Sequence, residues 1–256
     1  VDGLLAEIMN VSGLGEIKLP IPRMRYEDAM NRYGSDKPDL RFGLEMHDVS
    51  GVFKGTQFKV FAGVLGKGGV VKAINAKGMG STSLSVMEDW TELAKDSGLG
   101  GLAYIRVAED GTWKSPIVKF FSDQEKDGLT RELGIQPGDL ILFGADVPAV
   151  VNTALGRLRL IAAEAAGLIS KDKFVFTWVT DFPLFEKNDE GELQSMHHPF
   201  TSPNWEDLAL LETDPTRVRA LAYDIVLNGT ELGGGSIRIH DPDLQARMFN
   251  ILGIPP

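Results

Sequence analysis

The sequence predicts an α+β fold in which a β-rich domain is interrupted by an inserted α+β module. Two observations carry this. Stretches of strand character alternate with stretches of helical spacing along the 256 residues, punctuated by the tight-turn signals Asp110-Gly111 and Asn228-Gly229. The texture also changes at about Leu44 and again after 168: the flanks share alternating polar and apolar strands that the middle lacks. The boundaries drawn on this basis are 1–43 and 169–256 for the interrupted domain and 44–168 for the insertion.

The elements follow in order. Pro20 and Pro22 break the first stretch, and Tyr26 to Tyr33 reads as a short helix closed by Gly34, a residue suited to the left-handed C-cap. Ser35-Asp36 with Pro38 then makes a turn. FKVFAGVL (58–65) and LAYIRVA (102–108) have strand character, with VKAINAKG between them. Asp110-Gly111 turns the chain into a return strand, TWKSPIVKFF (112–121). Ser122-Asp-Gln-Glu125 matches a capping box, in which the serine and the glutamate satisfy each other's backbone N–H groups at a helix start. LILFGA (140–145) is an apolar strand, and 147–168 is the longest helix. The last part offers FVFTWVTDFPLF (174–185), YDIVLNG (223–229) and GSIRIH (235–240) as strands, then a helix opened by Asp241 as cap and Pro242 at its first position.

Composition narrows the chemistry. There are no cysteines, which excludes thiolate catalysis and Cys-ligated zinc and fits a cytoplasmic setting. Four histidines leave little for a His-rich zinc site. A net charge of −10 argues against broad, sequence-independent binding of nucleic acid, which depends on Lys and Arg neutralising phosphates. Cations aimed at small anions must therefore be placed individually. No apolar run approaches the length that spans a bilayer, so no membrane partner is expected. The opening VDGLLAEIMN carries an acid where a secretory signal would be basic, and no targeting peptide is expected.

Several familiar motifs fail. The phosphate-loop pattern GxxxxGK[ST] is absent, and so is the hydrolase elbow GxSxG. GLGGLA (98–103) matches a dinucleotide fingerprint in letters only. A helix precedes it and a strand follows, the reverse of what brings a helix N-terminus to a pyrophosphate. In SMHHPF, a strand would point His197 and His198 to opposite faces, so at most one of them faces a site; the other reading is a polar strand end before Pro199.

ELGGGSIRIH (231–240) is more informative. Strand alternation puts Ser236, Arg238 and His240 on one face and Ile237 and Ile239 on the other. An arginine on such a face is suited to gripping a carboxylate with two parallel hydrogen bonds. Glycines weaken a strand unless something approaches the backbone closely. The Asn228-Gly229 turn lets YDIVLNG pair with this segment, gathering Asp224, Glu231, Ser236 and Arg238. Acids for an ammonium, an arginine for a carboxylate and an acid left for Mg²⁺ with a polyphosphate would suit a small zwitterion. A surface hairpin with a bulge and an ion pair fits the same residues equally well.

GSDKPDLR (34–41), the DFP of TDFPLF (180–185), MHHPFTSP (196–203), YDIVLNG and ELGGGSIRIHD (231–241), in this order and spacing, resemble bacterial-type aspartyl-tRNA synthetases over essentially the whole chain. The resemblance implies a class II catalytic domain, an antiparallel sheet flanked by helices, with the inserted module of a type shared with an amidotransferase subunit. It implies ATP-dependent activation of L-aspartate to aspartyl-adenylate and transfer to the 3′ end of tRNA(Asp), with Mg²⁺ assisting; some relatives also charge tRNA(Asn). It implies that Arg238 holds the substrate carboxylate, that His197 with its neighbour His198 belongs to the aspartate site, and that Asp224 and Ser236 line the same pocket. Glu231 is implied to work with ATP and its metal, which makes Arg238 and Glu231 the expected catalytic pair. The Ser35-Asp36-Lys37 segment is family-typical, with no ligand assigned and a hinge role equally open. The family's anticodon-binding barrel, dimer motif and first ATP arginine would precede Val1, and its second ATP arginine would follow LGIPP. On that reading the chain is a central piece of a homodimeric enzyme with little activity by itself. The alternative is a non-catalytic synthetase-like module that binds tRNA or protein.

Overall fold

A computed structural model describes residues 1–188 and 190–255. They fall into two compact units, one formed by Val1–Ala29, Asp36–Leu40 and Asp172–Pro256, the other by Met30–Ser35 and Arg41–Lys171. The fold is α+β with predominantly antiparallel sheets, the class expected from the sequence. Among the described residues no helix is long and apolar enough to cross a membrane.

The first unit is built on a four-stranded sheet in the order Arg23–Arg25, Phe176–Thr180, Ala222–Leu227, Thr230–Ser236. Its first pair is parallel and the other two are antiparallel. One face carries Phe176 and Ile225, which cluster with Met9 and Leu5 of the helix Asp2–Val11. Asp2 ties that helix down by accepting from the Trp178 indole N–H at 2.8 Å and the Ile21 N–H at 3.1 Å. The other face carries Val179, Ala222 and Val226, packed with Phe182, Leu184, Leu211, Leu244 and Met248. Leu244 and Met248 belong to the helix Pro242–Ile251, which starts as the sequence predicts, with Asp241 accepting from the N–H groups of Asp243 and Leu244.

The second unit has a five-stranded antiparallel sheet in the order Met46–Asp48, Val70–Ala76, Leu140–Asp146, Ala103–Val107, Trp113–Lys114. Both faces are covered. Ile74, Leu140 and Leu142 pack with Met87, Trp90, Val151, Leu155 and Leu158 from the helices Leu84–Asp96 and Pro148–Ala165. On the other face Val71, Ala73, Ile105 and Ile141 join Phe53, Phe61, Phe121 and Phe143, whose rings meet one another at 4.8–6.5 Å between centroids. Strands buried on both sides need apolar residues at successive positions, which is why LILF reads as an uninterrupted run. The capping box is present: Ser122 accepts from the Glu125 N–H, and Glu125 accepts from the Ser122 N–H at 2.6 Å.

Two expectations for this unit are corrected. Residues 58–65 are not a strand; Lys59–Gly66 is a helix. Phe58, Phe61 and Leu65 pack inward at helical spacing while Val60 points to solvent, so periodicity overrides the strand preference of Phe and Val. The return strand after Asp110-Gly111 covers only Trp113–Lys114, because Pro116 has no N–H to continue the ladder.

The second unit also buries cations. Lys72 donates to Asn31 and Asn152, each at 2.8 Å through the side-chain oxygen, and burial lowers its pKa. Arg159, 1% exposed, stacks over Tyr33 and Phe42 and donates to the carbonyls of Phe42 and Gly43. Gly34 closes the helix Tyr26–Tyr33 at φ +70°. A side chain there would collide with the Asn152 carbonyl oxygen and lie 2.8 Å from Gly156 Cα, and one at Gly156 would lie 3.0 Å from Gly34 Cα. Each glycine is therefore required by the other's backbone.

Candidate functional site

The site is built on the hairpin formed by Ala222–Leu227 and Thr230–Ser236. Asn228 and Gly229 form its turn with φ of 52° and 84°, the paired positive angles of a two-residue hairpin turn. Asn228 is suited to this beyond its tolerance of positive φ. Its side chain accepts from the Val175 N–H at 2.9 Å and donates to the Lys173 carbonyl at 2.8 Å, pinning the turn to the chain entering the neighbouring strand.

A bulge decides which residues meet. Ile225 pairs with Gly233 and Val226 with Glu231, so Leu232 is the extra residue. Simple alternation would set Glu231 on the opposite face from Ser236. The bulge brings it round, so that Glu231, Gly234 and Ser236 share the face of Val226, Asp224 and Ala222. Gly234 lies directly opposite Asp224, and a Cβ there would collide with the Asp224 carboxylate. Gly235 makes room on the other face for the Tyr223 side chain, whose hydroxyl a Cβ would meet at 3.0 Å and whose ring at 3.1 Å. These two glycines thus accommodate side chains of the adjacent strand, a reason more immediate than the ligand approach expected from the sequence.

Charged groups converge on this face. The Lys37 ammonium lies 3.3 Å from Glu231 Oε2 and 3.4 Å from Asp36 Oδ2. Burial opposes its charge, but Asp36 and Glu231 outweigh that and hold its pKa above the usual lysine value. Asp224 is 8% exposed, and burial, reinforced by Glu231 and Asp36, pushes its carboxyl above the usual range, while His197 and Lys37 pull the other way. Among the described residues no donor hydrogen-bonds to the Asp224 carboxylate.

The strand ends at Ser236, earlier than expected. Arg238 makes an isolated bridge with Thr201, Ser202 N–H donates to the Ile237 carbonyl, and Ile239 N–H donates to the Phe200 carbonyl. Ile239 packs into the core as expected, whereas Ile237 is 50% exposed, because alternation stops with the strand. Arg238 is exposed, and among the described residues its guanidinium forms no ion pair. Ser236 and Thr201 share a long hydroxyl contact of 3.4 Å.

The histidines are on a bend after the strand Leu193–Ser195, not on a strand. His197 rests edge-to-face on the buried Phe182 ring at 4.7 Å, close enough to Asp224 to draw its carboxyl toward the ionised form. His198 turns into its own loop, where Nδ1 accepts from the Phe200 N–H at 3.3 Å and the two rings lie 4.8 Å apart. The structure thus gathers Asp36, Lys37, Asp224, Glu231 and His197, and aligns Ser236 with them. It gives His198 no contact with that group. Lys37 and Phe182 are the additions that residue types alone did not reveal. Phe182 follows Asp181, held at φ +57° and 3.6 Å from the guanidinium of Arg219. A cavity of about 610 Å³ in the other unit, lined by residues including Lys54, Gln124 and Arg131, contains none of these groups. The chemistry of the hairpin, not cavity size, locates the site.

The family model described as tRNA synthetases class II (D, K and N) matches residues 1–255. The chain belongs to that family. Among curated class II relatives it is 55% identical over 240 residues to an aspartate–tRNA(Asp/Asn) ligase of Desulfatibacillum aliphaticivorans, covering 93% of this chain and 40% of the relative. It is 49% identical over 254 residues to one of Geotalea uraniireducens, covering 99% and 43%. An aspartate–tRNA ligase of Agathobacter rectalis is 48% identical over 251 residues, covering 98% and 41%. The chain therefore spans about two fifths of the length of these class II relatives.

Proposed function

We propose that the chain carries the substrate floor of an aspartate–tRNA ligase. The observation that carries this reading is the bulge that sets Glu231 on one face with Asp224 and Ser236, two residues before an Arg238 whose guanidinium forms no ion pair among the described residues. Arg238 grips the side-chain carboxylate of L-aspartate, and its planar fork rejects an amide, which cannot accept two charge-assisted hydrogen bonds. His197, steadied by Phe182, and Ser236 line the same pocket; His198 supports the loop. In the first step the α-carboxylate of aspartate attacks the α-phosphorus of ATP and pyrophosphate leaves. In the second a terminal ribose hydroxyl at the 3′ end of tRNA(Asp), and in an enzyme like the Asp/Asn relatives also of tRNA(Asn), attacks the carbonyl of the resulting aspartyl-adenylate, forming the ester as AMP leaves. Catalysis is largely positioning and electrostatic stabilisation.

The donor set fits Mg²⁺, a hard cation taking one or two carboxylates with substrate phosphates: Asp224 and Glu231 would hold it. There it would neutralise charge on the phosphates of ATP. The separate five-stranded sheet of the second unit supports reading 44–168 as a module inserted between 1–43 and 169–256 of the catalytic domain. In its full-length form the protein is cytoplasmic and a homodimer on this reading.

The test is aspartate-dependent exchange between ATP and pyrophosphate by the full-length gene product. Arg238→Ala is expected to lower exchange by about a thousandfold or more, the scale of losing a charge-assisted bidentate contact at the reacting end. Retained exchange in that variant removes the assignment of Arg238. Charging assays with tRNA(Asp) and tRNA(Asn) decide the breadth of the second step.

A further inference from the structure

Two cations face each other across an antiparallel strand pair of the second unit. Arg106, on the strand Ala103–Val107, pairs directly with Lys114 on the edge strand Trp113–Lys114, so their side chains share a face. Like charges directly opposite one another weaken a sheet unless an anion offsets them. Arg106 is the more telling of the two. Its Nε and Nη2 are buried, and among the described residues neither has an acceptor. These two atoms form an edge of the guanidinium that can hold an oxyanion by two parallel hydrogen bonds. Donors buried without acceptors cost stability, and a fold that keeps them invites a reason for them. At rest the guanidinium lies 5.7 Å from the centre of the Tyr104 ring, two residues earlier on the same strand face. The pair opens onto a cavity of about 550 Å³, where Gly78, Gly80 and Gly138 add no side chains to narrow it. Glu109 and Asp110 also line it, both exposed, and Asp110 is engaged by the Thr112 N–H at 2.9 Å. Among the described residues neither acid pairs with Arg106 or Lys114.

We propose that this cavity is an anion site that takes a phosphate group, free or carried on a small molecule, held by Arg106 through Nε and Nη2 and by Lys114. Two cations match the charge of a phosphate, about −1.5 to −2 near pH 7, better than the single charge of a carboxylate. To engage, the guanidinium swings off the Tyr104 ring into the cavity. It exchanges one ring contact and two unmet donors for two charge-assisted hydrogen bonds. Lys114, a point charge on a flexible stem, closes on the same oxyanion from the edge strand. The exposed Glu109 and Asp110, with a net charge of −10 over the chain, disfavour an extended polyanion at this place and leave room for a compact one. All of these residues lie within the second unit and none belongs to the hairpin site, so the inference stands apart from the ligase reading.

The experiment is equilibrium dialysis of the full-length gene product against radiolabelled inorganic phosphate, in chloride at fixed pH and ionic strength. Arg106→Met is expected to weaken the binding at this site about tenfold or more, and Lys114→Met, at an exposed position that leaves the fold intact, about threefold to tenfold. Arg106→Lys keeps the charge without the fork and should bind about fivefold more weakly than wild type. Binding elsewhere on the protein is the part that all three variants retain. Glycerol phosphate that competes assigns the site to a phosphate ester, and failure to compete assigns it to free phosphate. Phosphate binding that is absent, or indifferent to Arg106 and Lys114, overturns the proposal, as does acetate binding as tightly as phosphate. Binding of a single-stranded polynucleotide that depends on Arg106, with no response to inorganic phosphate, overturns it in favour of a nucleic-acid backbone. In phosphate-free buffer Arg106→Met should melt at or slightly above wild type, because it removes two unmet donors. A melt well below wild type, with phosphate leaving the wild-type melt unchanged, makes Arg106 a structural residue and overturns the proposal.

Discussion

Leu140–Asp146 and Thr230–Ser236 are strands of seven residues each, and they have almost nothing in common. The first, LILFGAD, lies in the middle of its sheet, paired on both edges and covered on both faces. The second, TELGGGS, is an edge strand with three glycines, largely open to solvent. In the first, side-chain burial specifies the strand, and almost any loss of volume is felt. In the second, the strand is specified from outside itself: by a hairpin turn, by a bulge, and by the space that Asp224 and Tyr223 require. A sheet built to be stable and a sheet built to hold charges next to one another obey different rules within one chain.

That contrast can be broken at three points. The largest effect is expected for Phe61→Ala, which empties the phenylalanine cluster of the five-stranded unit. It should cost about 3–5 kcal/mol, read as a fall in the urea midpoint of that unit. A cost below about 1 kcal/mol would mean that the cluster repacks and is not the specifying element. Next comes Gly234→Ala. Its methyl group displaces the Asp224 carboxylate, and we expect a loss of about 1–3 kcal/mol in the four-stranded unit together with weakened Mn²⁺ binding. Unchanged metal binding would show that Asp224 does not depend on that gap.

The smallest effect is expected at Asp207, which accepts from Arg219 Nε at 2.7 Å and Nη2 at 3.0 Å. These hydrogen bonds hold the Asp207 carboxyl below the usual range. A depressed carboxyl contributes stability above its unfolded pKa and loses it as pH falls through the folded value. The advantage of wild type over Asp207→Asn, about 1 kcal/mol, should be constant from about pH 7 to 5 and fade below about pH 3. Thermal melts across that range check it, and an advantage that persists at low pH would assign it to packing.

The same contrast explains what could be read in the sequence. Local signals were legible: the Ser122–Glu125 capping box, the Asp241-Pro242 helix start and the Asn228-Gly229 turn each involve residues within a few positions of one another. The apolar run at 140 was legible because burial on both faces leaves an unbroken pattern. The helix at Lys59–Gly66 reads as strand from its residue types alone, and only its spacing is helical. At the site, pairing of Asp224 with the glycine segment follows from the turn. The bulge at Leu232 does not, since nothing in ELGGG marks which residue is the extra one. Lys37 was opaque for another reason: its partner Glu231 is near the other end of the chain, and a lysine in a loop carries no sign of a distant carboxylate. Likewise, the separation of His197 from His198 came from a bend, where alternation has no force.

Gly34 and Gly156 face each other with no side chain on either. Tight contacts elsewhere can be relieved when one partner shrinks as the other grows, so lineages drift through compensated pairs. This contact has no such path, because both positions already hold the smallest residue there is. The first four letters of GSDKPDLR are thereby under two unrelated constraints, the glycine from a backbone that leaves it no room and the lysine from charge. A run of letters that looks like one motif is two, and natural variation should be able to erode one while sparing the other.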